Sequence, residues 1–230
     1  MRKSKYIFAV ITAFLFIILC ACAGNNEPSA EPSDSPPQIE NSDGNNDNNE
    51  PAVQSVTSGE VVITFDYEKI SGTASNQFAV WIEDTDGNYI NTVYATQWTA
   101  NGGYKDRPDS IAMWVEKSDI SSMPDYYVDA VAGATPKTSG SQSYTWNLKD
   151  INGNTVQPGD YRFFVEGSLR WKNYVLYSGV ITISDTPVTV TADAAYNYEA
   201  SDNQPALSNE SPENAMITAV TANFTPTVDD

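Results

Sequence analysis

Two acidic turns carry the oxygen side chains that hard cations prefer. Asp84, Asp86 and Asn88 alternate around Gly87, and Asp150, Asn152 and Asn154 alternate around Gly153. Calcium takes six to eight oxygen ligands, and an EF-hand loop closes with a bidentate Glu at its twelfth position. Counted from Asp84 and Asp150, the twelfth positions are Ala95 and Tyr161, and neither brings a carboxylate. Asp, Asn and Gly also tolerate positive φ, so the same residues build hairpin turns with no cation at all. Turn formation is the expected role, and calcium is the competing one.

A second set with chemical capacity is aromatic: Trp98, Tyr104, Trp114, Tyr126 and Tyr127, with Trp171 and Tyr174 further along. Such rings can stack on sugars or meet a protein partner, and core packing competes for the same residues. Imidazole chemistry is absent, because the chain has no His. That excludes Ser-His-Asp and Cys-His catalysis, His-ligated zinc and haem, and an imidazole proton shuttle. Carboxylate pairs could serve glycoside hydrolysis, but among 30 acidic residues no pair stands out by spacing. A formal charge of −18 opposes nucleic-acid binding, which needs a basic surface to release counterions.

Both cysteines, Cys20 and Cys22, lie near the start of the chain. Arg2, Lys3 and Lys5 precede an apolar run from Tyr6 to Leu19, which is shorter than the ~20 residues of a membrane-spanning helix. The run ends at Leu19-Cys20-Ala21-Cys22, which resembles a bacterial lipobox. The resemblance implies a signal peptide over residues 1–21 and acylation of Cys22, giving an extracytoplasmic protein anchored to the bacterial membrane. Several acyl chains would make that anchoring stable. The folded part is then free of thiols, so it can hold no disulfide, thiolate nucleophile or Cys-bound metal.

What must position the candidate residues begins after an acidic, low-complexity stretch. Residues 22–55 are rich in Asn, Glu, Pro, Ser and Asp and contain no aromatic residue. They cannot bury enough apolar surface to offset ordering, and the expectation is a disordered linker with a reach on the order of 30 Å. From residue 56 to 230 the pattern is that of one β-sandwich domain. Val61, Ile63, Phe65 and Tyr67 alternate with less apolar residues, and Gln77 to Glu83 reads as a central strand. Further strands are expected at Tyr89–Tyr94, Ser143–Leu148, Tyr161–Glu166, Tyr174–Ile183, Val188–Ala192 and Met216–Phe224. The segment Ala100–Gly140 reads as one long loop with a short helix over Ser110–Lys117, and long ordered loops are often functional. Asn197–Asn214 reads as a further polar loop. The expected fold is all-β, an antiparallel Ig-like or fibronectin-like sandwich.

The ordered series Phe78–Asp84 with Asp86-Gly87, Arg107-Pro108-Asp109, Asp129–Pro136, Trp146 and Gly159-Asp160-Tyr161 resembles a bacterial family of exported proteins, domain of unknown function 2271. The resemblance covers roughly Glu60 to Ser184. It implies an extracytoplasmic domain and an association with membrane flavin and PepSY-type redox proteins. Trp146 to Glu166 is similar to the Ig-like hairpin of flagellar hook-capping proteins, which supports a sandwich and transfers no function.

Asp129–Thr135, DAVAGAT, resembles the motif that flavin transferases recognise in FMN-binding electron-transfer proteins. By that resemblance Thr135 would carry FMN through its hydroxyl, Asp129 would belong to the recognition element, and Gly133 would give close backbone access. Ala132 departs from the Ser or Thr of the motif, and Pro136 pushes Thr135 toward extended geometry. The competing reading is a connection whose small residues turn the chain.

The sequence thus points to a lipid-anchored binding or accessory domain with its site in the long loop and its aromatics. Its expected partners are the membrane and a membrane redox or surface protein, and nucleic acid is not among them. No catalytic residue and no resident cofactor are expected. FMN on Thr135 is the alternative, and a glycan-binding or glycan-processing module is a third.

Overall fold

The computed structural model describes residues 58–69, 76–168, 173–197 and 216–227. The expected signal peptide, Cys22, the acidic linker, Trp171 and nearly all of the loop expected at 197–214 lie outside the described residues.

Ten strands are present among the described residues. The first five are β1 (Gly59–Tyr67), β2 (Gln77–Asp84), β3 (Tyr89–Thr96), β4 (Ala132–Gly133) and β5 (Gly140–Trp146). The rest are β6 (Gly159–Ser168), β7 (Tyr174–Ile183), β8 (Val188–Thr191), β9 (Asp193–Asn197) and β10 (Ile217–Pro226). They form a four-stranded sheet in the order β5-β1-β10-β8 and a six-stranded sheet in the order β4-β3-β2-β6-β7-β9. Every pairing is antiparallel except that of β3 with the two-residue β4. The fold is a β-sandwich, as the alternating runs predict.

The main core lies between the sheets. Val61, Ile63, Phe65 and Tyr67 of β1 meet Phe78, Val80 and Ile82 of β2, Phe163 and Val165 of β6, and Val175 and Ile181 of β7. A second core covers the opposite face of the six-stranded sheet. There Ala79 and Trp81 of β2 pack under Ile111, Trp114, Ile120, Tyr127 and Val131. Burial on both faces is why β2 reads as a continuous apolar run rather than an alternation.

The segment between β3 and β5 therefore differs from a bare loop. It folds into irregular helical turns over residues 99–106, a helix over Ala112–Ser118, a 3-10 turn at Ile120–Ser122 and a helix over Asp125–Val131. Together these make a cap on the six-stranded sheet. The short helix expected at Ser110–Lys117 is present with a small shift. Residues 146–166 also differ from expectation. β5 and β6 belong to opposite sheets, so the Asp150 turn lies on a crossover rather than at the tip of a paired hairpin, closed by a short bridge between Lys149 and Thr155.

Candidate functional site

The cap and the edge strand β4 hold Tyr104, Trp114, Tyr126, Tyr127, Asp129 and Gly133, with Trp98 and Thr135 just outside them, and packing divides the aromatics sharply. Trp114 is fully buried, and its indole N–H donates to Thr92 Oγ1 at 2.8 Å. Tyr127 is buried as well. Its hydroxyl donates to Asn91 Oδ1 at 2.8 Å and accepts the backbone N–H of Thr92 at 3.1 Å. Both residues pin the cap to β3. Trp114 is enclosed and presents no face to a ligand, which corrects its expected place in a binding loop, whereas Tyr127 reaches the wall of a hollow it shares with Asn91, Lys149 and Asp150. Tyr126 is 78% exposed on the outer side of its helix. Tyr104 lines a hollow of about 390 Å³ whose wall also includes Lys105, Asp125 and Asp129.

Trp98 is the tryptophan that the fold presents among the described residues. Trp81, Trp114 and Trp146 have at most 2% of their surface exposed, whereas Trp98 keeps 46%. One side of its indole rests on Gly103, where a Cβ would come within 2.5 Å of Trp98 Cδ2. Only glycine fits that approach. Trp98 borders a hollow of about 380 Å³ with Gln77, Asp106 and Arg107. The backbone N–H of Arg107 donates to Gly103 O at 2.9 Å, which ties the hollow's basic residue to the turn beneath the indole.

Thr135 is connected to this hollow through a directed chain of hydrogen bonds. Ser110 Oγ and Thr99 Oγ1 are 2.8 Å apart, and Thr99 Oγ1 donates to Gln77 Oε1 at 3.1 Å. Because Thr99 has one hydroxyl proton and spends it on Gln77, Ser110 must donate to Thr99. Gln77 Nε2 in turn donates to Thr135 Oγ1 at 3.2 Å. Thr135 thereby accepts in the chain and keeps its own proton for another partner. Asp129 is exposed on the helix Asp125–Val131. Gly133 sits against the ring of Tyr94, whose hydroxyl donates to Ala134 O at 2.8 Å.

The acidic turns are closed by their own carboxylates. Asp84 Oδ1 accepts the Asn88 backbone N–H at 2.8 Å, and Oδ2 accepts Asn88 Nδ2 at 2.7 Å. Asp150 Oδ1 accepts the N–H groups of Asn152 and Asn154 at 2.9 and 2.8 Å, and Oδ2 accepts Asn154 Nδ2 at 3.1 Å. These bonds hold both carboxyls below the usual Asp range, that of Asp84 chiefly through the Asn88 side chain. At Asp150 slight burial works the other way and the bonds from Asn154 and Asn152 prevail. Among the described residues no three acidic side chains converge as a metal-binding group. Asp86 lies within the first turn, and Asn152 donates its backbone N–H within the second.

The cap is fastened by a residue that the sequence hides. Glu166 of β6 is buried, and its carboxylate accepts the backbone N–H groups of Met113 and Trp114 at 3.3 and 2.9 Å. The residue before that helix is Ile111, which has no capping oxygen and adopts φ of 43°. Its own N–H is taken by Ser168 Oγ at 2.7 Å. A β-branched residue at positive φ is strained. Burial of Ile111 and the two side chains from β6 hold it there.

The strand order, the Arg107-Pro108-Asp109 turn beside the hollow and the Asp129–Pro136 segment against Tyr94 are the setting for the family match. Residues 60–200 match the family described as predicted periplasmic protein (DUF2271). The chain belongs to this family. No curated protein and no solved structure matches it. Membership in DUF2271 supports an extracytoplasmic location.

Proposed function

We propose that this protein is an extracytoplasmic lipoprotein, held to the membrane by lipid on Cys22, whose sandwich presents a small-molecule binding site at the Trp98 hollow. The observation that carries the binding reading is the exposure of Trp98 beside a hollow while Trp81, Trp114 and Trp146 are enclosed. Exposed aromatic surface at a concave, mostly apolar site is the usual character of a ligand pocket. A thermal-shift screen of the full chain against glycans and redox cofactors tests it. A ligand that raises the midpoint of the native chain and not of Trp98→Ala supports the site. Ligands that stabilise both equally would remove the site from Trp98. For the anchor, Cys22→Ala should release the protein from the membrane fraction, and continued retention would overturn it.

A second reading, covalent FMN on Thr135, is favoured by the Gln77–Thr135 hydrogen bond. It ties the candidate acceptor to a residue that lines the hollow. Thr135 also lies in irregular chain just after β4, partly open to solvent. Co-expression with a flavin transferase should then add the mass of FMN and a visible flavin absorption, both lost in Thr135→Ala. An unchanged mass would end this reading and leave the first intact.

A further inference from the structure

Arg107 is a charged side chain that finds no ion-pair partner among the described residues. Its side chain is half-buried beside Trp98, and burial disfavours its charged form, with Asp109 opposing that effect. Yet the one ion pair among the described residues is Lys117 with Glu83, so no described carboxylate lies within ion-pair distance of Arg107. Its guanidinium also receives no hydrogen-bond acceptor among the described residues. A partly desolvated guanidinium with five donors is best satisfied by a planar or tetrahedral oxyanion.

The rest of the hollow limits what can bring that oxyanion. Gln77, Asp106 and Arg107 place a few polar groups there, but most of the surface exposed in the hollow is apolar, so a ring covered in hydroxyls would leave several of them unpaired. A flat aromatic ring would not, and it could lie on the exposed Trp98 indole. The indole is held against Gly103, so the stacking surface is formed before any ligand arrives. Asp106 is exposed at the same hollow, where it can accept an N–H from a heterocycle. The volume of about 380 Å³ is within the range of small-molecule pockets.

We propose that this hollow takes a flat heteroaromatic ring bearing a phosphate or carboxylate, with the ring stacked on Trp98 and the anion paired with Arg107. The inference rests on the binding reading of the same site given above and adds the class of ligand.

Three flavins with one ring system test it against the full chain: FMN, riboflavin and 10-carboxymethylflavin, followed by the change in flavin emission. FMN or the carboxymethyl compound should bind at least about tenfold more tightly than riboflavin. Whichever of the two anions gains more identifies phosphate or carboxylate as the natural group. In Arg107→Gln that advantage over riboflavin should vanish, whereas Arg107→Lys should retain part of it. In Trp98→Ala all three should weaken about tenfold or more, with thermal melts confirming that the variants fold.

Equal binding of riboflavin and both anions would overturn the pairing with Arg107. Undiminished binding in Trp98→Ala would overturn the stacking. If no flavin binds the native chain, the ligand class falls. The binding reading itself falls only if the thermal-shift screen also finds no ligand that depends on Trp98. The comparison of three ligands on the native chain needs no variant, so it decides the anion question even where a variant misfolds.

Discussion

The carboxylate of Glu166 accepts the backbone N–H of Trp114 at 2.9 Å, so a side chain from strand β6 caps a helix that lacks a capping residue of its own. Burial pushes the Glu166 carboxyl up to about 7 from an ordinary 4.5, while the N–H groups of Trp114 and Met113 oppose the shift. The folded state therefore holds this proton more tightly than the unfolded chain does. Its stabilising contribution is complete below the unfolded value near 4.5 and is lost as pH rises through the folded value near 7. The total is on the order of 3 kcal/mol at most. Glu166→Gln removes the titration, so the native chain should lose stability relative to this variant between about pH 5 and pH 8. Thermal midpoints of the two proteins at both pH values check it, and a difference that stays constant with pH would exclude coupling through this group.

Glu83 joins three parts of the same face. Its Oε1 accepts the Trp81 indole N–H at 2.8 Å, and its Oε2 accepts Lys117 Nζ at 3.2 Å. Lys117 also donates to Gly87 O at 3.1 Å, so the turn after β2 is tied to the cap. Glu83→Ala would leave the buried indole N–H unsatisfied, at a cost of about 1–3 kcal/mol. Glu83→Gln retains an acceptor for Trp81 and should cost less. Urea unfolding of both variants reads the difference, and equal costs would mean that the indole bond contributes nothing.

These contacts mark where the sequence stops being informative. β1, β6 and β7 are visible because each shows one apolar face, and β2 because both of its faces are covered. β9 is missed because Asp193–Asn197 is an edge strand with exposed residues and little apolar alternation. The helix Asp125–Val131 is missed because only Tyr127 and Val131 are buried in its seven residues, too few to establish a period. Glu166 alternates with Val165 and so reads as solvent-facing. Only the cap, formed by residues some 50 positions earlier, turns its side into an interior. Trp98 stands out as an aromatic at the loop boundary, but Arg107 acquires meaning only from what the fold fails to place beside it.

The two acidic turns should respond to acid rather than to calcium. Their carboxylate oxygens already accept N–H groups from Asn88, Asn152 and Asn154, and a cation would have to displace those bonds. The carboxyls of Asp84 and Asp150 are both lowered, so the stability they bring is present above the ordinary Asp range and is lost as pH falls through their folded values. Calcium at millimolar concentration is expected to leave the thermal midpoint unchanged, and a rise of several degrees would restore the cation reading. Asp150→Ala should cost about 1–2 kcal/mol through the loss of its turn hydrogen bonds.

Gly133 separates the two readings of the DAVAGAT segment. A Cβ at this position would lie 2.3 Å from Tyr94 Cε2, closer than van der Waals contact permits. The glycine is thus required by the packing of β4 on the Tyr94 ring, whatever becomes of Thr135. Gly133→Ala should destabilise the chain by about 1–3 kcal/mol with no flavin transferase present. Removing the ring should relieve the clash, so Gly133→Ala combined with Tyr94→Ala should cost scarcely more than Tyr94→Ala alone. Urea unfolding of the two single variants and the double variant measures that coupling. A Gly133→Ala chain as stable as the native one, yet unable to accept flavin, would instead assign the glycine to recognition by the transferase.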